Sequence, residues 1–156
     1  MHTDKEYLWL DGFLSALSTV CGSGKYSSGA MVFELDTDDL VESLRKFLGD
    51  GEFELVESSH VFDEPQVIEH IEPWLETYLH SFLEKALATE VGSTSDLENL
   101  VGYVRWKIIE GIYRVCDLTM GKCFFLKSVI LEKNCSYVII PALDKHLVLV
   151  FSEPSS

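Results

Sequence analysis

Four short patterns in the chain carry residue types that do chemistry elsewhere. Gly22-Ser-Gly-Lys25 has the small residues and the cation of a phosphate-binding loop, in which backbone amides approach phosphate and lysine supplies charge. Such a loop follows a strand, has a glycine five residues before the Gly24 position, and continues with Ser or Thr after the lysine. Here the preceding segment has helical periodicity, and Thr19 and Tyr26 occupy those two positions. Asp36-Thr-Asp-Asp-Leu40 opens like a calcium loop, but Leu40 stands at the third alternate ligand position and no glycine follows where the loop must turn. Helix capping and compensation of the helix dipole account for these acids. His80 and Glu84 lie one helical turn apart, with Glu76 one turn earlier, a spacing that sets metal ligands side by side. Without a second histidine at that spacing they read as a solvated helix face. Cys21 with His60, His70 or His80 would make a nucleophile and base, yet no glycine-framed turn or local signature accompanies it. The sequence therefore assigns no catalytic, cofactor-binding or metal-ligating residue, and the expectation is a protein without enzymatic activity.

What these patterns leave unexplained is charge. The net charge is −14, and it is unevenly placed. Residues 1–100 hold 21 acidic and 5 basic side chains, whereas residues 101–156 hold 5 and 7. Within residues 34–76 there are 14 acids against Arg45 and Lys46. Such a field repels nucleic acid and anionic membranes and attracts cationic partners. Acidity also serves solubility, but a helix face chosen for stability interleaves lysines, because like charges one turn apart cost a few tenths of a kcal/mol. Glu72, Glu76 and Glu84 share one side of a helix without that relief, and the same holds for Glu52, Glu54, Glu57, Asp63, Glu64 and Glu69. The expected partner-binding surface is therefore Glu52, Glu54, Glu57, Asp63, Glu64, Glu69, Glu72 and Glu76, with Asp38, Asp39 and Glu42 as additions. Its expected occupant is a basic protein.

In size, acidity and lack of catalytic motif, the chain resembles the immunity proteins with which bacteria neutralise basic toxins, nucleases among them, by covering a cationic active site. The resemblance is one of profile, carried by charge and size over the whole chain. It implies a cytoplasmic, non-enzymatic binding protein that needs no cofactor. Two other classes fit part of the profile. A nucleic-acid mimic blocking a DNA-binding protein would space its carboxylates regularly, whereas here they crowd into about a third of the chain. A small ligand-binding protein or enzyme would need a pocket with convergent polar groups.

The elements that must position these residues are legible from periodicity. The last third, residues 122–153, holds three runs rich in β-branched and aromatic residues, broken at Lys133-Asn134 and near Ala142 to Lys145, which predicts an antiparallel three-stranded meander. Val138 to Ile140 and Leu147 to Phe151 are apolar without alternation, so both faces of these strands are expected to be covered, by helices from earlier in the chain. Tyr7 to Val20 has helical spacing; Ala30 to Leu35 reads as a strand; Asp36-Thr37 caps a helix ending at Gly49; and Glu52 to Leu55 alternates as a strand with one wet, acidic face. Residues 58–65 read as a loop, and Gln66 to Ile71 fits helix and strand equally. Pro73 suits the first turn of a helix whose buried stripe includes Trp74, Tyr78 and Phe82. After a break at Gly92, Ser95-Asp-Leu-Glu98 is a capping box that starts a further helix.

The expected fold is thus α+β, four helices on a mixed or antiparallel sheet of about five strands. A chain of 156 residues, 47% hydrophobic, supports one core, so residues 1–153 are expected as a single domain and 154–156 as a polar tail. Cys21, Cys116, Cys123 and Cys135 form no Cys-x-x-Cys pair and sit in apolar segments, which predicts buried, reduced thiols. The polar start of the chain and the lack of a long apolar run predict a soluble cytoplasmic protein.

Overall fold

The computed structural model describes residues 2–22, 26–87, 94–116, 121–142 and 144–154. Its elements are α1 (His2–Gly22), β1 (Ser27–Phe33), a 3-10 turn (Thr37–Asp39) leading into α2 (Leu40–Leu48), β2 (Glu52–Ser59), α3 (Glu64–Leu87), α4 (Thr94–Val115), β3 (Cys123–Ile130), β4 (Lys133–Ala142) and β5 (Lys145–Pro154). The five strands form one sheet in the order β1-β5-β4-β3-β2, every neighbouring pair antiparallel. The fold is α+β with a C-terminal meander, as the hydrophobic pattern predicts. Among the described residues no helix is long and apolar enough to cross a membrane.

The apolar strand runs are explained by cover on both faces. Phe125, Val138, Ile140, Leu147, Leu149 and Phe151 point to one side, where Leu10 and Leu14 of α1, Val67, Ile71 and Leu75 of α3, and Ile108 and Ile112 of α4 meet them. Tyr137, Ile139 and Val148 point to the other, against Leu40 and Leu44 of α2. Successive side chains of a strand alternate in direction, so only a residue series apolar at every position fills two cores at once. Asp36 caps the turn before α2 by accepting the Asp38 N–H at 3.0 Å. The two edges of the sheet are treated differently. At β1 the Asp11 carboxylate on α1 takes the Ala30 N–H at 2.9 Å and Leu14 O accepts the Ser28 hydroxyl at 2.7 Å, so α1 seals that edge. Gly29 permits this approach, since a Cβ there would lie 3.0 Å from the Asp11 Oδ1.

Several boundaries differ from the sequence reading. The third helix does not begin at Pro73: it runs from Glu64, so residues 66–71 are helical and Pro73 lies inside it. A proline in a helix interior costs about 3 kcal/mol. Pro73 and Glu69 both lie on the exposed side of the helix, while Val67, Ile71 and Leu75 on the opposite side are fully buried and hold the helix down. β1 spans Ser27–Phe33 and not Ala30 to Leu35; β2 extends to Ser59; α1 reaches Gly22; and β5 continues through Pro154. No residue of β2 is buried: Glu52 and Glu54 are exposed on one face, and on the other Phe53 is half-buried against Tyr137 while Leu55 stays 53% exposed. Of the capping box, the backbone lies in the first turn of α4, but the Ser95 side chain falls outside the described residues, as do residues 23–25 of the glycine–lysine pattern and the break at Gly92.

Lys133-Asn134 is the start of β4, and the hairpin turn before it is Leu131-Glu132. Both have positive φ, 53° and 62°, as a type I′ turn demands, although neither residue type favours that region. Replacing the pair by Asn-Gly (L131N/E132G) is expected to raise unfolding stability by about 1 kcal/mol, measured as a shift in urea midpoint at constant slope. Leu131 is 90% exposed, so its own side chain gives up little packing in the exchange.

All four cysteines are free and buried. Burial pushes the Cys21 and Cys123 thiols up to about 11 and raises Cys116 further. Thiol titration is expected to count four reactive groups after denaturation and almost none in the native protein. A cysteine that reacts within minutes in the folded state would contradict this.

Candidate binding cleft

Among the described residues β2 is the last strand of the sheet, paired there with β3 alone. In register, Glu52 lies opposite Val129 and Glu54 opposite Lys127, which puts both glutamates on the face that α3 crosses. A bulge between Leu55 and Glu57 then re-aims the strand. The N-terminal half of α3 presents Glu69, His70, Pro73 and Trp74 toward the same space. The result is a pair of adjoining hollows of about 890 and 360 Å³ that share Trp74, Lys127 and Glu153. Trp74 is held in place by stacking on Phe151, centroids 6.4 Å apart, and by an edge contact with Tyr78 at 6.3 Å.

Among the described residues five carboxylates line the cleft, Asp50, Glu52, Glu54, Glu69 and Glu153, against the single lysine Lys127. His70 adds no cation. Its Nε2 lies 2.5 Å from the Ser136 hydroxyl and its ring packs on Phe125 with centroids 5.0 Å apart. Burial lowers its pKa to about 4, and Lys127 acts in the same direction, so the ring is neutral at pH 7. The cleft is a concave, net negative surface with one half-buried aromatic ring at its centre, which suits a cationic side chain approaching both carboxylate and ring face.

The fold distributes the eight carboxylates singled out in the sequence. Glu52, Glu54 and Glu69 meet in the cleft. Glu57 accepts a hydrogen bond from Gln66 Nε2 at 2.6 Å, and Glu64 accepts the Tyr113 hydroxyl at 2.7 Å. Glu72 is not without basic relief: Arg105 on α4 donates to it at 3.2 Å. Asp63 precedes α3 and its carbonyl accepts the Val67 N–H at 3.1 Å. Glu76 borders a separate shallow hollow with His80 and Glu84, and the latter two are 3.7 Å apart. Asp38, Asp39 and Glu42 belong to the α2 side of the sheet, where Glu42 pairs with Arg45. Sequence reasoning missed Asp50, Glu153 and the ring of Trp74, which it placed in the buried stripe. Glu153 is distant in the chain from the acidic segment, and only the antiparallel pairing of β4 with β5 carries it there.

No family model matches this chain, and no curated protein does. A solved structure to which it is similar is the crystal structure of gp37 (Dip) from bacteriophage phiKZ bound to RNase E of Pseudomonas aeruginosa, with 10% sequence identity and a TM-score of 0.35. The likeness covers 99% of this chain, which spans 65% of that one.

Proposed function

We propose that this protein is a non-enzymatic binder of a basic protein, which it neutralises by seating cationic side chains in the cleft between β2 and α3. The finer reading is a cytoplasmic bacterial immunity protein whose target is a toxin of the nuclease type, since a nuclease must expose cations to hold its substrate. One observation supports it above the others. Carboxylates from the turn before β2, from β2 itself, from α3 and from β5 converge on one concavity with a single lysine among the described residues there. Carboxylates drawn together without matching cations are held at a cost in self-repulsion, and a cationic partner removes that cost. A nucleic-acid mimic calls for a regular track of carboxylates, whereas these cluster in a hollow, with Glu57, Glu64 and Glu72 engaged elsewhere.

The test is capture from lysate of the source organism with immobilised protein, in parallel with a variant carrying Glu52→Lys, Glu69→Lys and Glu153→Lys. A basic protein retained by the first and lost from the second, eluting with moderate salt, is the expected result. Retention of the same partner by both, with the same salt dependence, removes the cleft from the mechanism.

A further inference from the structure

Both edges of an open sheet present unpaired backbone N–H and C=O groups, which template the addition of another strand unless something blocks them. At β1 that block is built: α1 lies along the edge, with the Asp11 carboxylate on the Ala30 N–H and Leu14 O on the Ser28 hydroxyl. At β2 it is not. None of the eight residues of β2 is buried, and Leu55 and Val56 are 53% and 45% exposed, large apolar side chains on a strand that no element covers among the described residues. Of the devices that blunt a sheet edge, β2 has a bulge after Leu55 and charge, but the charge is of one sign.

We infer that β2 is a docking edge for an extended cationic segment of the partner, which adds to the sheet as a sixth strand beside β2. This deepens the proposed function and rests on it. Charge selects the occupant. A second copy of this chain pairing through the same edge would set side by side two strands that each carry Glu52, Glu54 and Glu57 and no cation, and like charges on adjacent strands disfavour that pairing. The same carboxylates favour a strand carrying Lys or Arg. The strand period gives the pattern. Glu52 and Glu54 point to the cleft face while Phe53 and Leu55 point to the face shared with Tyr137, so the partner strand alternates cations with apolar residues. Its cations fall over the acidic cleft and its apolar residues against Leu55. Main-chain pairing then supplies affinity and the alternation supplies specificity.

The test uses the intact protein and an end-blocked peptide of alternating Lys and Val, as long as β2. A second peptide of the same sequence is N-methylated at alternate amides, on the side that would face β2. Hydrogen exchange is followed along the chain with each peptide at low salt, about 20 mM, where steering is least screened. Binding of the first peptide is expected to slow exchange of β2 amides about tenfold or more, and N-methylation is expected to weaken binding at least tenfold. If both peptides bind equally and β2 exchange is unchanged, the cation is held in the cleft without strand addition; the inference fails while the proposed function stands. If neither peptide binds, or if protection appears on the exposed aromatic stripe of α4 at Tyr103 and Trp106 instead of β2, the inference also fails. The lysate capture then judges the proposed function separately. Dimers formed by the protein alone through β2, detected by sedimentation with β2 protected, would assign the edge to a second copy and overturn it.

Discussion

Reversing charge at Glu52, Glu69 and Glu153 is expected to slow association with the basic partner by about a hundredfold at low ionic strength, within the range by which steering accelerates encounter. The gap between variant and parent is expected to narrow as salt rises, because exposed charges act over a Debye length of about 10 Å at 0.1 M. Glu54 is left intact in this variant because it faces Lys127 across the β2–β3 ladder, and a lysine there would oppose a lysine. The comparison that isolates the cleft is a second triple reversal at Asp38, Asp39 and Glu98, which changes net charge equally but touches the turn before α2 and the start of α4. Its expected effect on the association rate is a few-fold at most. Equal slowing in the two variants would mean that total charge, and not its convergence, drives encounter.

Tyr78→Phe is expected to destabilise the fold by about 2 kcal/mol, with a fall in Tm of about 4–8 °C. The Tyr78 hydroxyl reaches from α3 through the core to the paired ends of β1 and β5. It lies 2.8 Å from Ser152 O and 3.0 Å from Ser27 O, and it accepts the Ser152 N–H at 3.0 Å. The ring is fully buried, and burial raises its pKa well above the ordinary tyrosine value, so the hydroxyl stays protonated. Removing the oxygen leaves the Ser152 N–H buried without its acceptor, and an unmet buried donor costs more than a typical hydrogen bond contributes. Tyr26→Phe, which alters the ring stacked on Tyr78 at 4.7 Å but not this clamp, is the matched comparison. Denaturant melts of the two variants that coincide would show that the hydroxyl does not tie α3 to the sheet.

The meander illustrates what periodicity encodes. A strand apolar at every position, such as Val138-Ile139-Ile140, satisfies burial only if both faces are covered, so the two-sided sheet follows from local composition. The turn within it was misplaced because Leu131-Glu132 lacks turn residues, and positive φ is imposed there by the pairing of Ile130 with Lys133. Pro73 misled for a related reason: its local preference for a first turn is real, and burial of the residues on the other side of α3 overrides it.

The acidic segment divides along the same line. Sequence alone determined that carboxylates outnumber cations between residues 34 and 76, because charge is a property of composition that needs no geometry. It determined the strand that carries Glu52 and Glu54 and the helix that carries Glu76, because the periods of 2 and 3.6 are local, but it read Glu64 as loop and left the segment of Glu69 between helix and strand. Which carboxylates act together was decided only by the tertiary structure. Helical spacing gives the direction of Glu72 about its own axis but not that Arg105 of another helix stands opposite, and nothing near Glu52 or Glu69 in the chain announces Glu153. Electrostatic interaction depends on distance through space, and elements far apart in sequence are brought together by the burial of apolar faces that carry no charge at all.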